Sequence, residues 1–190
     1  MNVCVFGASS TQIDVKYIIA TEQLGEAMAA AGHSLVYGAG GSGLMGAVAR
    51  GMTRKGGHIT GVVPSFLKVD GILYDSCDEI VYTETMRQRK QIMDERSDAF
   101  IVTPGGIGTY EEFFEIYTLK QLGRHQKPIV IFNIDGYFDR LLEMLSFTVN
   151  EQFMQPLCLQ LYTVATTAEE ALAQLSPVAE ATSVEETKYI

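Results

Sequence analysis

The chain has 190 residues, of which 47% are hydrophobic and 19% charged, with a formal net charge of −9. That length suits one domain, and the composition carries enough apolar material for a core and too little charge for a disordered chain. The negative balance excludes a general nucleic-acid binder, so any phosphate ligand must be held by a local cluster.

Residues 2–6 read as a strand rather than a targeting segment, and no apolar run approaches the roughly 18–20 residues of a membrane span. No membrane contact and a cytoplasmic location are expected. Gly7-Ala-Ser-Ser10 follows, then helical spacing over about 15–31, a strand at 34–37, Gly38-Ala-Gly-Gly-Ser-Gly43 and a helix over 44–55. Strands are predicted at 59–63 and 79–82, a helix at 86–97 and a strand at 100–103. Pro104-Gly-Gly-Ile-Gly-Thr109 precedes a helix over 110–122, and a strand at 129–133 precedes a helix over 137–151. A shorter run at 162–164 and a helix over 168–175 end the pattern. Residues 1–176 form a single domain on this reading. Residues 177–190, with Pro177, several acidic residues and no periodicity, form a loose C-terminal tail.

Most of the strands are continuously apolar, as strands buried on both faces are. Their alternation with helices predicts an α/β fold, a Rossmann-like doubly wound parallel sheet of about seven strands with helices on both faces. Each glycine-rich stretch directly follows a strand, so all three should gather at the C-terminal edge, where such sheets bind ligands. Cys4, Cys77 and Cys158 are odd in number and far apart, and His33, His58 and His125 form no HxxxH pair. Neither a disulfide framework nor a metal site is expected.

The stretch Gly38–Gly46 satisfies G-x-G-x-x-G twice, but the next strand ends Val62-Val-Pro-Ser65 without the carboxylate that holds a dinucleotide ribose, and no Gly-Lys-Ser/Thr follows. The glycines there serve either a ligand or tight turns and packing alone. The 104–109 loop is more specific: Gly105, Gly106 and Gly108 uncover backbone N–H groups, and Thr109 is expected to open a helix whose positive end favours an anion. Thr109-x-x-Glu112 also reads as a capping box, in which Glu112 only satisfies a backbone donor. Both readings stand. A second capping box, Thr85 with Gln88, starts a helix at Met86 and puts Arg87, Arg89 and Lys90 in its first turn and a half. Exposed cations there oppose the helix dipole by roughly 0.3–1 kcal/mol each, so an anion or carboxylate should meet some of them. Arg89 shares a face with Ile92, Met93 and Arg96 and is the candidate to point inward.

Met86-x-x-Arg89-Lys90 followed by Pro104-Gly-Gly-Ile-Gly-Thr-Tyr-Glu-Glu112 resembles the paired signature of the LOG ("lonely guy") family, cytokinin riboside 5′-monophosphate phosphoribohydrolases, often misnamed lysine decarboxylases. The likeness runs over about 3–175, through Gly38–Gly46, Ile59-Thr-Gly-Val-Val-Pro64, Gln121-Leu-Gly-Arg-His125 and Lys127-Pro128. The resemblance implies a cofactor-free homodimer that hydrolyses AMP or N6-modified AMP to free base and ribose 5-phosphate. It implies Arg89 and Glu112 as the catalytic pair. Substrate contacts are expected from Met86, Lys90, Gly105, Gly106, Ile107, Gly108, Thr109, Glu111 and Thr118, with Gly40, Gly41, Ser42 and Gly43 beside them. After Pro64, where many relatives carry an Arg-Glu pair, this chain has Lys68-Val-Asp70-Gly71, which puts a sugar or base contact from Asp70 in question.

Breaking an N-glycosidic bond develops oxocarbenium character, which a nearby carboxylate stabilises. Glu112 is the candidate, while Arg89 could polarise the departing base or fix Glu112 and the ribose hydroxyls. Two rivals remain at this point: a pyridoxal-phosphate lysine decarboxylase, for which no lysine lies in the glycine loops, and a nucleotide- or molybdenum-cofactor-binding protein without turnover. In the helix after Thr109, Phe113, Phe114, Ile116, Tyr117, Leu119 and Leu122 exceed one stripe, so one face is expected on the sheet and another on a partner subunit.

Overall fold

The computed structural model describes residues 1–67 and 71–175, so Asp70 and the expected tail lie outside the described residues. Seven parallel strands form one sheet: β1 (Asn2–Phe6), β2 (Ser34–Tyr37), β3 (Ile59–Pro64), β4 (Glu79–Thr83), β5 (Ala99–Val102), β6 (Ile129–Phe132) and β7 (Thr163–Ala165). Between them run α1 (Val15–Ala30), α2 (Gly43–Arg54), α3 (Met86–Glu95), α4 (Ile107–Gln121), α5 (Asp139–Asn150) and α6 (Ala168–Ala173). Successive strand side chains point to opposite faces. Val3 and Val5 pack with Leu24, Met28 and Val48 of α1 and α2, while Cys4 and Phe6 pack with Met93, Phe113 and Leu145 of α3, α4 and α5. Both faces are therefore covered, which is why the central strands are mostly apolar.

Most boundaries fall within two residues of expectation, and the one larger difference is that α4 begins at Ile107 rather than near Tyr110. Gly106 occupies the N-cap position of α4 and no side chain caps it, so Thr109 lies inside the helix instead of opening it. Glycines at 106 and 108 have poor helix propensity, and propensity placed them in the loop; the helix includes Gly108 anyway.

The strand order is β4-β3-β2-β1-β5-β6-β7. The chain winds outward from β1 to β4, then returns to β5 on the other side of β1, and the loops after β1 and β5 part at this switch point. They remain tied there: Ala8 N–H donates to Pro104 C=O (3.0 Å), and the Thr103 hydroxyl donates to Phe6 C=O (2.8 Å). The loop after β2 joins them, because the Ala8 carbonyl accepts from Leu44 N–H (2.8 Å) and Met45 N–H (3.3 Å) at the start of α2. The gathering of the three glycine stretches is as the alternation implied.

Gly43 makes that approach possible. Its φ is +58°, and a Cβ there would stand 2.5 Å from the Ala8 carbonyl oxygen and 2.7 Å from that of Ser10. Gly43→Ala combines left-handed strain with a backbone clash, and should cost about 2–4 kcal/mol. Thermal unfolding should show a fall in Tm of roughly 5–12 °C for a chain of this size; an unchanged Tm would mean that the loops do not meet this tightly.

Candidate active site

The site is built where α3 meets α4 below the glycine loops. Thr85 Oγ1 accepts from Gln88 N–H (3.1 Å) and Gln88 Oε1 accepts from Thr85 N–H (3.3 Å), so the expected capping box fixes the helix start at Met86. One turn on, Arg89 points inward and is buried, as its shared face with Met93 implied. Its Nε donates to Val62 C=O (3.1 Å), its Nη1 donates to Glu112 Oε1 (3.2 Å), and its Nη2 lies against Gly38, where a Cβ would stand only 2.0 Å away. Three neighbours thus hold the guanidinium in one place. Lys90, one residue on, bridges Glu111 and Glu115 of α4, with 2.6 Å to the latter. Arg87 is exposed and makes no ion pair among the described residues.

Glu112 answers the question left by its local sequence. No Thr109–Glu112 capping box forms; its carboxylate reaches across 23 residues to Arg89 instead. Thr109 turns its side chain onto Gly105, whose added Cβ would lie 2.1 Å from Thr109 Oγ1. The pair is desolvated, at 10% side-chain exposure for Arg89 and 12% for Glu112. Burial pushes the Glu112 carboxyl up to about 7; the Arg89 guanidinium pulls it down, the Glu111 carboxylate pushes it up, and burial prevails. Burial pulls Lys90 down, yet its bonds to Glu111 and Glu115 outweigh this and hold it above the ordinary lysine range.

The two glycine loops that could receive an anion are not equivalent. At α2, Leu44 and Met45 give their N–H groups to Ala8, and Gly41 N–H donates to Ile72 C=O (2.9 Å), so Gly41 is removed from the expected donors. Ser42 sits exposed at the N-cap with its hydroxyl unused by the helix, beside Gly40 and the buried Gly43. At α4 the first N–H used by the helix is that of Tyr110, to Gly106 C=O (3.1 Å), which leaves Ile107, Gly108 and Thr109 N–H groups pointing out of the helix end. Gly106 and Gly108 are exposed, and a Cβ on either would meet nothing within 4 Å. The fold does not require glycine there, whereas a ligand approaching the backbone does. Glu112 lies roughly 8 Å along α4 from Ile107.

The remaining expected contacts are scattered. Met86 stands half-exposed at the start of α3, and Glu111 is exposed beside Lys90. Thr118 is exposed nine residues past Thr109, roughly 13–14 Å along the axis, and so is distant from the glycine loop of its own chain. A cleft of about 220 Å³ opens between α3 and α4, lined by Arg87, Lys90, Gln91, Glu112, Glu115 and Leu119 among others. Gln91 and Leu119 were not expected there; their position one turn beyond Arg87 and Glu115 on facing helices was the available signal.

The raised Glu112 carboxyl has a stability consequence. The unfolded chain releases this proton near the ordinary 4.5 and the folded chain near 7. Between those values the unfolded state binds fewer protons, so rising pH costs stability, on the order of 3 kcal/mol by the upper end. Glu112→Gln removes that dependence. The stability of the variant relative to the parent, from urea unfolding, should rise between pH 4.5 and 7 and stay level above; a flat difference would mean that Glu112 is not desolvated.

The chain was compared with known proteins. The family model described as "Possible lysine decarboxylase" matches residues 45–175. A probable cytokinin riboside 5′-monophosphate phosphoribohydrolase of Oryza sativa subsp. japonica is 41% identical over 91% of this chain and 70% of its own length. A cytokinin riboside 5′-monophosphate phosphoribohydrolase of Arabidopsis thaliana is 39% identical over 91% of this chain and 80% of its own. Among solved structures, the molybdenum cofactor carrier protein of Chlamydomonas reinhardtii superposes with a TM-score of 0.68 at 23% identity, covering 90% of this chain and 93% of that one. The molybdenum cofactor binding protein of Rippkaea orientalis gives 0.67 at 23% identity, covering 90% and 91%. At such identity these two speak for the fold alone. With a family model over more than half its length and relatives near 40% identity over most of it, this chain belongs to the LOG family of cytokinin riboside 5′-monophosphate phosphoribohydrolases.

Proposed function

We infer that this protein hydrolyses the N-glycosidic bond of AMP or N6-modified AMP, releasing free base and ribose 5-phosphate. The observation that carries the reading is the buried Arg89–Glu112 pair, set roughly 8 Å down α4 from a helix end with free N–H groups. The substrate class rests on the names of the relatives. The 5′-phosphate sits on the N–H groups from Gly105 to Thr109 and orients the sugar toward Glu112. As the bond from the anomeric carbon to the base nitrogen breaks, its electron pair leaves with the base, and the Glu112 carboxylate stabilises the oxocarbenium-like carbon. Glu112 then accepts a proton from the attacking water, whose oxygen bonds that carbon, and passes it on to the departed base anion, which leaves as the neutral free base; a carboxyl near 7 suits this exchange. Arg89, pinned to Val62 and Glu112, positions the carboxylate.

No cofactor takes part in this reading. Decarboxylation on pyridoxal phosphate does not fit the cleft: a Schiff-base lysine must be neutral, and Lys90, the lysine lining it, is held charged by two carboxylates. The working state is a homodimer with the site near its interface. A cleft of about 220 Å³ is smaller than the roughly 300–1,000 Å³ of a complete small-molecule site. Apolar side chains also remain exposed at the two ends of α4, Ile107 at 84% and Leu122 at 53%. Phe113, Ile116 and Tyr117 of α4 are buried within the chain as its sheet-facing stripe. No helix among the described residues is long and apolar enough to cross a membrane. Three unpaired cysteines favour the reducing cytoplasm.

Incubation with AMP, isopentenyl-AMP, GMP and CMP should release ribose 5-phosphate from the adenine nucleotides, and adenosine should be a poor substrate because it lacks the docking group. Binding of AMP without release would leave a nucleotide- or cofactor-binding protein instead. Glu112→Gln and Arg89→Ala should each lower turnover roughly 10²–10⁴-fold while AMP still binds. The pH profile of the parent kcat should rise to a plateau above about 7, and Glu112→Gln should lack that inflection. Sedimentation at micromolar concentration should give a dimer mass; a monomer that is fully active would remove the partner from the site.

A further inference from the structure

Three consecutive carbonyls of the glycine loop are each held by a different element. Pro104 C=O accepts from Ala8 N–H (3.0 Å), Gly105 C=O from the Tyr137 hydroxyl (2.7 Å) and Gly106 C=O from Tyr110 N–H (3.1 Å). The outer two bonds come from backbone. The middle one comes from a side chain 32 residues away, in the turn between β6 and α5, which no motif singled out.

A peptide unit is planar and trans, so its C=O and the following N–H point in opposite directions. Fixing the Gly105 carbonyl toward Tyr137 therefore aims the Gly106 N–H away from it, to the open side of the loop where Cβ atoms on Gly106 and Gly108 would meet nothing. Gly105 itself has no space for a side chain that could steady the loop, since a Cβ would also stand 3.1 Å from Ala8 N. The Tyr137 ring is in turn held. It packs edge-on to Tyr17 and Phe138, at 5.9 and 5.0 Å between centroids. Asn133 closes the turn beneath it through Phe138 N–H (2.7 Å) and Asp139 (2.8 Å), and Lys16 pairs with Asp135 at its edge.

We propose that Tyr137 is a positioning residue for phosphate recognition: its hydroxyl locks the Gly105–Gly106 peptide so that the Gly106 N–H is presented to the 5′-phosphate of the substrate. This rests on the reading of the 105–109 loop as the phosphate site. Tyr137 touches neither the sugar nor the base in this scheme, so its effect is confined to ligands that carry the phosphate.

Tyr137→Phe keeps the ring contacts and removes only the hydroxyl, which bonds Gly105 C=O and also meets Tyr110. Calorimetric Kd values for ribose 5-phosphate and for adenosine, with kcat/KM for AMP, should be measured on parent and variant at equal Tm. The variant should bind ribose 5-phosphate about tenfold more weakly, as expected for one lost hydrogen bond, and lose kcat/KM for AMP by a similar factor, with its adenosine Kd unmoved. Unchanged ribose 5-phosphate binding, or equal losses for both ligands, would overturn the proposal. A parent protein that binds adenosine as tightly as AMP would overturn the phosphate-loop reading as well. Phosphate dependence in the parent with none of it lost in the variant would remove Tyr137 alone.

Discussion

Ala8 gives its N–H to Pro104 and takes N–H groups from Leu44 and Met45 at its carbonyl, so one peptide segment at the end of β1 joins the loops after β1, β2 and β5. The constraint comes from burying backbone at the switch point, where each polar group must find a partner within the protein. Its consequence is an asymmetry between two helices that start at the same edge. The first donors of α2 are used to hold the loops together, whereas those of α4 face outward. The α4 end is where outward N–H groups and the positive end of the dipole coincide, the position to which the proposed function assigns the phosphate.

The same edge gathers the charges. A carboxylate and a guanidinium taken out of water together give weak evidence of stability, since desolvation rivals their attraction. Here the Glu112 carboxyl at about 7 says that burial outweighs the partner. Such a pair persists because the two-sided core around the parallel sheet offsets its cost. In the proposed function the arrangement supplies a proton-exchanging group matched to neutral pH, next to a fixed cation. Lys90, clamped between Glu111 and Glu115, keeps α3 and α4 in register around that pair and offsets the charge of Glu111, which would raise Glu112 further.

Much of the architecture was legible because its signals are local. Continuous apolar runs announce strands covered on both faces, and the Thr85–Gln88 box both starts α3 and places Arg89 one turn in, on the face of Met93. The ends of elements were less legible: Gly108 reads as loop by propensity and lies in a helix whose packing along Phe113 and Tyr117 overrides it.

By itself the sequence determined the order of strands and helices, the three glycine stretches at one edge, and the residue types available for chemistry there. Whether Glu112 caps its own helix or pairs with Arg89 could not follow from it, because the local partner is three residues away and the actual one 23, brought near only by the packing of α3 on α4. Gly41 and Gly106 are likewise the same residue in similar contexts, yet one N–H is taken by Ile72 and the other is aimed by Tyr137. Local sequence sets which conformations a segment can adopt. Which donors remain free, and how far burial moves a carboxyl, depend on what the rest of the chain places beside them, and only the tertiary structure decided that.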